Sequence, residues 1–141
     1  MRRVVVDTNV YVDWMNAGRH EDVLFEKGAV KYLSAVVLME LRAGAFRPAD
    51  RRLLAHVQTA FEKAGRLVVP SATVFAEAGE ALRRLQSEKG YNLASTPSLV
   101  GDVLIALSAR AIGAVVITQN ERDFRAIQSV RPFSLEIVAA A

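Results

Sequence analysis

Short apolar runs, several of them built from β-branched residues, alternate along the chain with longer segments of helical periodicity. Runs of this kind are typical of parallel strands that are buried on both faces of a sheet. The predicted strands are residues 4–6, 32–33, 67–69, 115–117 and 135–137. Strands that alternate with helices form a parallel sheet covered on both faces. We therefore predict a three-layer α/β fold with a central parallel sheet of four or five strands flanked by helices.

The segments between these runs carry apolar residues at the spacing of an amphipathic helix. The predicted helices are residues 10–15, 22–27, 35–44, 49–64, 71–88 and 98–112, followed by a last short helix that begins at Asn120. Ser34 is a candidate N-cap of the third helix, and Gly113 is expected to end the sixth. No repeat, linker or low-complexity tract interrupts the pattern. We predict one domain that spans residues 1–141.

The composition excludes several classes of function. The chain has no cysteine, which rules out a disulfide framework, a thiolate metal site and a cysteine nucleophile. Without cysteine, nothing in the sequence demands an oxidising compartment, so we expect a cytoplasmic protein. No apolar stretch approaches the roughly 18 residues that a membrane span requires, so we expect no membrane partner. The 18 Lys and Arg residues outnumber the 15 Asp and Glu residues and give a net charge of +3. This balance favours a polyanionic partner.

Two polar clusters directly follow predicted strands. The first consists of Asp7, Thr8 and Asn9, and the second of Thr118, Gln119, Asn120 and Asp123. Ligands of parallel sheets bind at the carboxyl ends of the strands, which makes both clusters candidate site residues. In the alternative interpretation, Asn9 and Asn120 only cap the next helices, and Asp123 only interacts with a helix dipole.

Two further carboxylates, Glu40 and Asp102, project from apolar helix faces. Val36 and Val37 precede Glu40 by one helical turn, and Asp102 lies in a helix so apolar that most of it must be buried. An isolated ionised carboxylate in such surroundings is strongly disfavoured unless it is paired or coordinates a metal. A buried ion pair with an arginine is the alternative for either acid alone.

The four acids are more informative together than separately. If Asp7, Glu40, Asp102 and Asp123 converge at one end of the sheet, two carboxylates about 4 Å apart repel by about 4 kcal/mol at an effective dielectric constant of 20. Four such groups require cations. An all-oxygen site suits Mg²⁺ or Mn²⁺, which commonly bridge to substrate phosphates. The sequence therefore favours metal-assisted phosphodiester hydrolysis.

These motifs resemble those of the PIN-domain ribonucleases, and most closely the VapC-type toxins of toxin–antitoxin pairs. The resemblance rests on Asp7-Thr8-Asn9, on Glu40 with Leu41 and Gly44, on Asp102 with Ile105 and Ala106, and on Thr118, Asn120 and Asp123-Phe124. It covers nearly the whole chain in order and spacing. It implies a metal-dependent endoribonuclease that cleaves RNA, is held inactive by a cognate antitoxin and forms a homodimer.

By the same resemblance, an acidic quartet would hold the metal and carry the catalysis, supported by neighbouring hydroxyl and amide groups. The quartet is Asp7, Glu40, Asp102 and Asp123, and the supporting residues are Thr8, Asn9, Thr118 and Asn120.

Other functions find less support in the sequence. A receiver-like or aspartyl-phosphatase domain also places acids at strand ends, but it needs a lysine near a late strand, and the last lysine here is Lys89. A catalytically silent PIN-like binding module would be expected to lose some of the acids. His20 and His56 lack metal-ligand spacing, which argues against a zinc site and a Ser/His/Asp triad. We expect both histidines at the surface.

Overall fold

The computed structural model describes residues 1–140, so that Ala141, the last residue of the predicted domain, lies outside the described residues. Strands and helices alternate in the predicted order. The strands are β1 (Arg2–Val6), β2 (Ala29–Ser34), β3 (Leu67–Val68), β4 (Ala114–Thr118) and β5 (Ser134–Ile137). The helices are α1 (Thr8–Ala17), α2 (Glu21–Leu24), α3 (Ala35–Ala43), α4 (Pro48–Lys63), α5 (Ala72–Lys89), α6 (Leu99–Ala111) and α7 (Glu121–Val130).

The strands form one parallel sheet in the order β3-β2-β1-β4-β5, which confirms the predicted α/β fold. Residues 4–6 of the central strand β1 are buried, as expected for a parallel strand that is covered on both faces. The chain leaves β1 towards β2 on one side and leaves β4 towards β5 on the other. Because these connections diverge, a crevice opens at the carboxyl ends of β1 and β4.

Side chains at strand ends start the helices that surround this crevice. Ser34 caps α3 as predicted and accepts a hydrogen bond from the Val36 backbone N–H at 3.2 Å. Asn120 caps α7 in the same way. The alternative that Asn9 caps α1 is wrong, because Asp7 occupies the N-cap position and accepts from the Thr8 N–H.

Helix α2 and strand β3 are among the predicted elements that end earlier than the sequence suggested. Helix α2 ends at Leu24 rather than at residue 27, since the chain must turn there into β2, whose first residue Ala29 pairs with Arg2. Strand β3 lacks Val69, because its partner β2 ends at Ser34, where α3 begins. In both cases the neighbouring strand, not the local apolar pattern, sets the boundary.

Helix α6 is the most buried helix and packs against β4, α5 and α7. Its residues 105–109 are almost inaccessible to solvent, which explains its apolar sequence. Its first turn carries Asp102 to the rim of the crevice. In the part of the chain that the structure describes, no helix has the length and apolar character needed to cross a membrane.

Candidate active site

Three of the four predicted acids line one cleft at the carboxyl ends of β1 and β4. Asp7 comes from the end of β1, Glu40 from α3 and Asp102 from α6. The cleft has a volume of about 410 Å³. Its remaining lining residues are Thr8, Asn9, Val12, Asp13, Ser98 and Asn120. The fold thus brings together acids that are separated by up to 95 positions in the chain.

Asp7 is 4% exposed and is held by two hydrogen bonds. Its Oδ1 accepts from the Thr8 backbone N–H at 2.8 Å, and its Oδ2 accepts from the Thr118 hydroxyl at 2.7 Å. Burial raises the pKa of Asp7, the two hydrogen bonds lower it, and the charge of Glu40 raises it further. The net effect is a raised pKa, because burial is the largest of these influences.

Thr118 lies at the centre of the supporting hydrogen bonds and is fully buried. Besides donating to Asp7, its hydroxyl oxygen accepts from the Asn120 backbone N–H at 3.0 Å and from the Asn9 side-chain amide at 3.4 Å. Asn9 in turn accepts from the Gln119 backbone N–H at 3.3 Å. These contacts fix the end of β1 against the end of β4.

Glu40 reaches the cleft between α1 and α6. Its Oε1 accepts a hydrogen bond of 2.6 Å from the Thr8 hydroxyl. On the other side, a Cβ placed on Gly101 would lie 3.1 Å from Oε2 of Glu40 and 3.6 Å from a methyl carbon of Val36. The absence of a side chain at position 101 therefore lets Glu40 lie directly against α6.

We expect Gly101→Ala to impair the site without unfolding the protein. Alanine is favoured over glycine inside a helix by about 1 kcal/mol, but its Cβ would displace the Glu40 carboxylate by a few tenths of an ångström. A displacement of about 1 Å can cost about 10²-fold in rate, so a loss of about 3- to 10-fold is expected in an RNA cleavage assay with Mg²⁺. Gly79→Ala in α5 is the matched control, because no atom lies within 4 Å of its added Cβ. Unchanged cleavage by Gly101→Ala would show that the close approach is unimportant.

Asp102 has the most perturbed carboxyl group of the cleft. It is 6% exposed, and its Oδ2 accepts only a long hydrogen bond, 3.5 Å, from the Asn120 side chain. Burial, followed by the charges of Asp7, Glu40 and Asp123, raises the pKa of Asp102 to about 8. A carboxyl group with this pKa lacks a nearby positive charge, and buried groups of this kind are frequent at functional sites.

Asp123 does not line the cleft with the other three acids. Its Oδ1 accepts from the Tyr91 hydroxyl at 2.8 Å, and its Oδ2 accepts from the Asn120 side chain at 3.1 Å. The same Asn120 amide approaches Asp102, so Asp123 is connected to the cleft through Asn120. Three of the four acids that were expected to converge therefore line the cleft, and the fourth, Asp123, contacts it only through Asn120.

Sequence reasoning missed Asp13, a fourth carboxylate that does line the cleft. Its Oδ2 accepts a hydrogen bond of 2.6 Å from the Gln119 side chain and lies 3.6 Å from Nε2 of His20. The spacing of Asn9 and Asp13, four positions apart on one helix face, was the available signal. His20 is only partly exposed, because its ring packs against Gln119 and Asp13, whereas His56 is exposed as predicted.

The cleft has the chemistry of a site for a hard divalent cation. Among the described residues, no Lys or Arg lines it, and its carboxylate charge is uncompensated. No group of three His, Asp or Glu side chains within residues 1–140 is arranged to hold a metal by itself. Mg²⁺, however, is usually bound by one or two carboxylates and completes its shell with water and substrate phosphates. The oxygen donors of Asp7, Glu40 and Asp102 fit an ion that is held in this way.

Comparisons with known proteins agree on the kind of fold. A family model described as PIN domain matches residues 4–129. No curated protein matches the sequence. A solved structure of VapBC2 from Rickettsia felis, bound to a DNA fragment from its promoter, is similar with a TM-score of 0.69 and 23% identity, over 96% of this chain and 98% of that chain.

Two further solved structures show the same likeness. VapBC-1 from Haemophilus influenzae matches with a TM-score of 0.69 and 19% identity, over 96% of this chain and 97% of that chain. VapBC-5 from Mycobacterium tuberculosis, a member of the VapBC family of toxin–antitoxin systems, matches with a TM-score of 0.64 and 22% identity, over 99% of this chain and 100% of that chain. At these identities the likeness extends to the fold alone.

Proposed function

The chain belongs to the PIN domain family, and on that premise we propose that it is a metal-dependent endoribonuclease that hydrolyses phosphodiester bonds of RNA. The observation that carries the proposal is the cleft in which Asp7, Glu40 and Asp102 meet without a neutralising side chain among the described residues. Repulsion among these carboxylates favours a bound cation, and their all-oxygen donor set suits Mg²⁺ or Mn²⁺.

In this proposal Asp7, Glu40 and Asp102 hold the metal, and Asp123 completes the acidic quartet through Asn120. An ion held there would supply charge neutralisation at the phosphodiester and a lower pKa for an attacking water. The supporting residues orient the acids: Thr118 and the Thr8 backbone hold Asp7, and the Thr8 hydroxyl holds Glu40. Fixing these oxygens beforehand reduces the reorganisation that the reaction requires.

We further propose that the protein is the toxin of a toxin–antitoxin pair. Support comes from the structural likeness to VapBC-5, a member of a toxin–antitoxin family, over almost the whole of both chains. The partner would be a cognate antitoxin that covers the acidic cleft. A short neighbouring gene whose product co-purifies with the protein and blocks RNA cleavage would support this role, and the absence of such a gene would favour a housekeeping nuclease.

A homodimer is the expected state in solution. Large apolar side chains on α3, α5, α6 and the loop after α3 are exposed in the single chain: Met39, Phe75, Val100 and Phe46. Burial of such surface against a second copy is favourable, and two-fold dimers are the commonest closed assemblies. Light scattering at micromolar concentration should give twice the mass of the chain. A monomeric mass without any partner would contradict this expectation.

The endoribonuclease is tested by incubating the purified protein with total RNA in chelator, in Mg²⁺ and in Mn²⁺, and by mapping the cut ends. We expect internal cuts only when a metal is present. The absence of cleavage with either metal would favour the alternative of a catalytically silent PIN-like binding module. The receiver-like alternative is opposed by the family match and by the lack of a cation in the cleft among the described residues.

A further inference from the structure

A second polar groove, of about 360 Å³, lies beside the acidic cleft. Its polar lining consists of Lys89, Tyr91, Asn92, Ser95, Thr96 and Arg122. The charges of the two sites are opposite. Among the described residues, the groove is lined by two cations and no acid, whereas the cleft is lined by four acids and no cation.

A chain of hydrogen bonds joins the groove to the cleft. Tyr91, which lines the groove, donates its hydroxyl to Asp123, and Asp123 accepts from the Asn120 side chain. Asn120 lines the cleft and reaches Asp102. Only two side chains, Asp123 and Asn120, therefore separate the groove wall from the buried Asp102.

The two cations of the groove are available to a ligand. Lys89 is exposed at the end of α5 and makes no ion pair within residues 1–140, and the Arg122 side chain is 87% exposed. The contact of Arg122 with Asp123, 3.9 Å, is too long for a hydrogen bond. By contrast, Arg84, in the turn before Lys89, is held by Glu88 at 2.6 Å.

The backbone holds the groove in a defined shape. Helix α5 ends at Lys89 and is capped by Gly90, whose φ of +71° suits glycine. The next N–H, that of Tyr91, returns to the carbonyl of Leu85 at 3.1 Å. Asn92 then closes a turn, since its side chain accepts from the Ala94 N–H at 2.8 Å. A ligand therefore meets a preformed wall, and little conformational entropy is lost when it binds.

We propose that this groove binds the sugar–phosphate backbone of single-stranded RNA next to the bond that is cut, with Lys89 and Arg122 contacting phosphates. The inference rests on the proposed function. Asp7, Glu40 and Asp102 are occupied by the metal in the proposed function and offer no positive charge to phosphates outside the cleft, whereas the groove offers Lys89 and Arg122. Contacts of Lys and Arg with phosphates supply affinity and position the strand without reading its sequence.

The test compares two double variants that lose the same charge. Lys89→Ala/Arg122→Ala removes the groove cations, and Arg52→Ala/Lys63→Ala removes two exposed cations of α4 that line neither site. Both are made in an Asp102→Asn background in Mg²⁺ to prevent cleavage. Binding of a fluorescein-labelled single-stranded RNA of about 12 nucleotides, a length within known single-strand site sizes, is measured by anisotropy over a range of salt concentrations.

We expect the groove variant to bind about tenfold more weakly than its background, and the slope of log K against log salt to become shallower by about 1.4, or 0.7 for each lost phosphate contact. The α4 variant should change little. Equal effects of the two double variants would overturn the proposal, because they would show that only net charge matters. Circular dichroism spectra of all variants serve as the control that each one is folded.

A cleavage experiment separates this inference from the proposed function. In the otherwise unmodified protein, Lys89→Ala/Arg122→Ala should raise KM for the same RNA about tenfold and leave kcat nearly unchanged, since it removes binding energy rather than reacting groups. If the unmodified protein cuts RNA and the variant lowers only kcat, the groove proposal is wrong while the nuclease stands. If the unmodified protein cuts no RNA, the nuclease proposal fails, and the binding comparison still decides whether the groove holds phosphates.

Discussion

Asp102→Asn is expected to lower RNA cleavage by about 10³-fold or more and at the same time to raise the melting temperature of the metal-free protein. Cleavage falls because the substitution removes an anionic ligand, and the contribution of a bound metal to the transition state is several kcal/mol. Stability rises because asparagine has nearly the same shape but carries no charge that burial disfavours and that Asp7 and Glu40 repel.

The stability effect has a defined dependence on pH. In the folded protein the pKa of Asp102 is raised to about 8 from its ordinary value of 3.8. Between these two pH values the folded state holds a proton that the unfolded state has already lost. The free energy of unfolding therefore falls as the pH rises from about 4 to about 8. In chelator, the melting temperature of Asp102→Asn should fall less over this range than that of the unmodified protein.

Thermal melts in chelator at several pH values, together with the RNA cleavage assay, measure both effects. Asp22→Asn is the matched control, because Asp22 is exposed on α2 and makes no ion pair within the described residues. Added Mg²⁺ should raise the melting temperature of the unmodified protein more than that of Asp102→Asn. Cleavage by Asp102→Asn at the unmodified rate would show that the metal site is assigned wrongly. A lower melting temperature would show that the carboxylate supports the fold.

The sequence predicted the elements, and it singled out three of the acids that line the cleft, because both leave local signals. A run such as residues 4–6 is apolar on both faces, and a carboxylate such as Asp102 is conspicuous on an apolar helix. The exact ends of α2 and β3 leave no such signal, since they depend on where a neighbouring strand begins or ends.

Other features of the site depend on contacts between distant parts of the chain. Tyr91 donates to Asp123 from a loop 32 positions earlier, and this contact helps to hold Asp123 outside the cleft. The glycine at position 101 suggests a close approach, but its partner Glu40 is identified only by the packing of α3 against α6. Composition suggested a polyanionic ligand, yet the groove that contains Lys89 and Arg122 forms only after α5 and α7 pack together.

Thr118→Val is expected to damage both the fold and the proposed activity. Valine removes the hydroxyl that donates to Asp7 and accepts from the Asn120 backbone N–H, in a position that water does not reach. A buried group that loses its hydrogen bond costs about 1–3 kcal/mol, and the free energy of unfolding should fall by about this amount. Loss of an orienting contact to a metal ligand typically lowers affinity or activity by about 10- to 100-fold, which is the expected loss of cleavage.

Two further substitutions separate the hydrogen bond from the packing around it. Thr118→Ser keeps the hydroxyl and loses only a methyl group, so cleavage should return close to the unmodified rate while about 1 kcal/mol of stability is still lost. Ser108→Ala removes another buried hydroxyl, one without a hydrogen-bond partner among the described residues, and should cost little stability. Denaturant unfolding and RNA cleavage, measured on all three variants, show whether the loss comes from the hydrogen bond or from the packing. If Thr118→Val cleaves RNA as fast as Thr118→Ser, Asp7 is held by the backbone of α1 alone, and Thr118 has no part in positioning it.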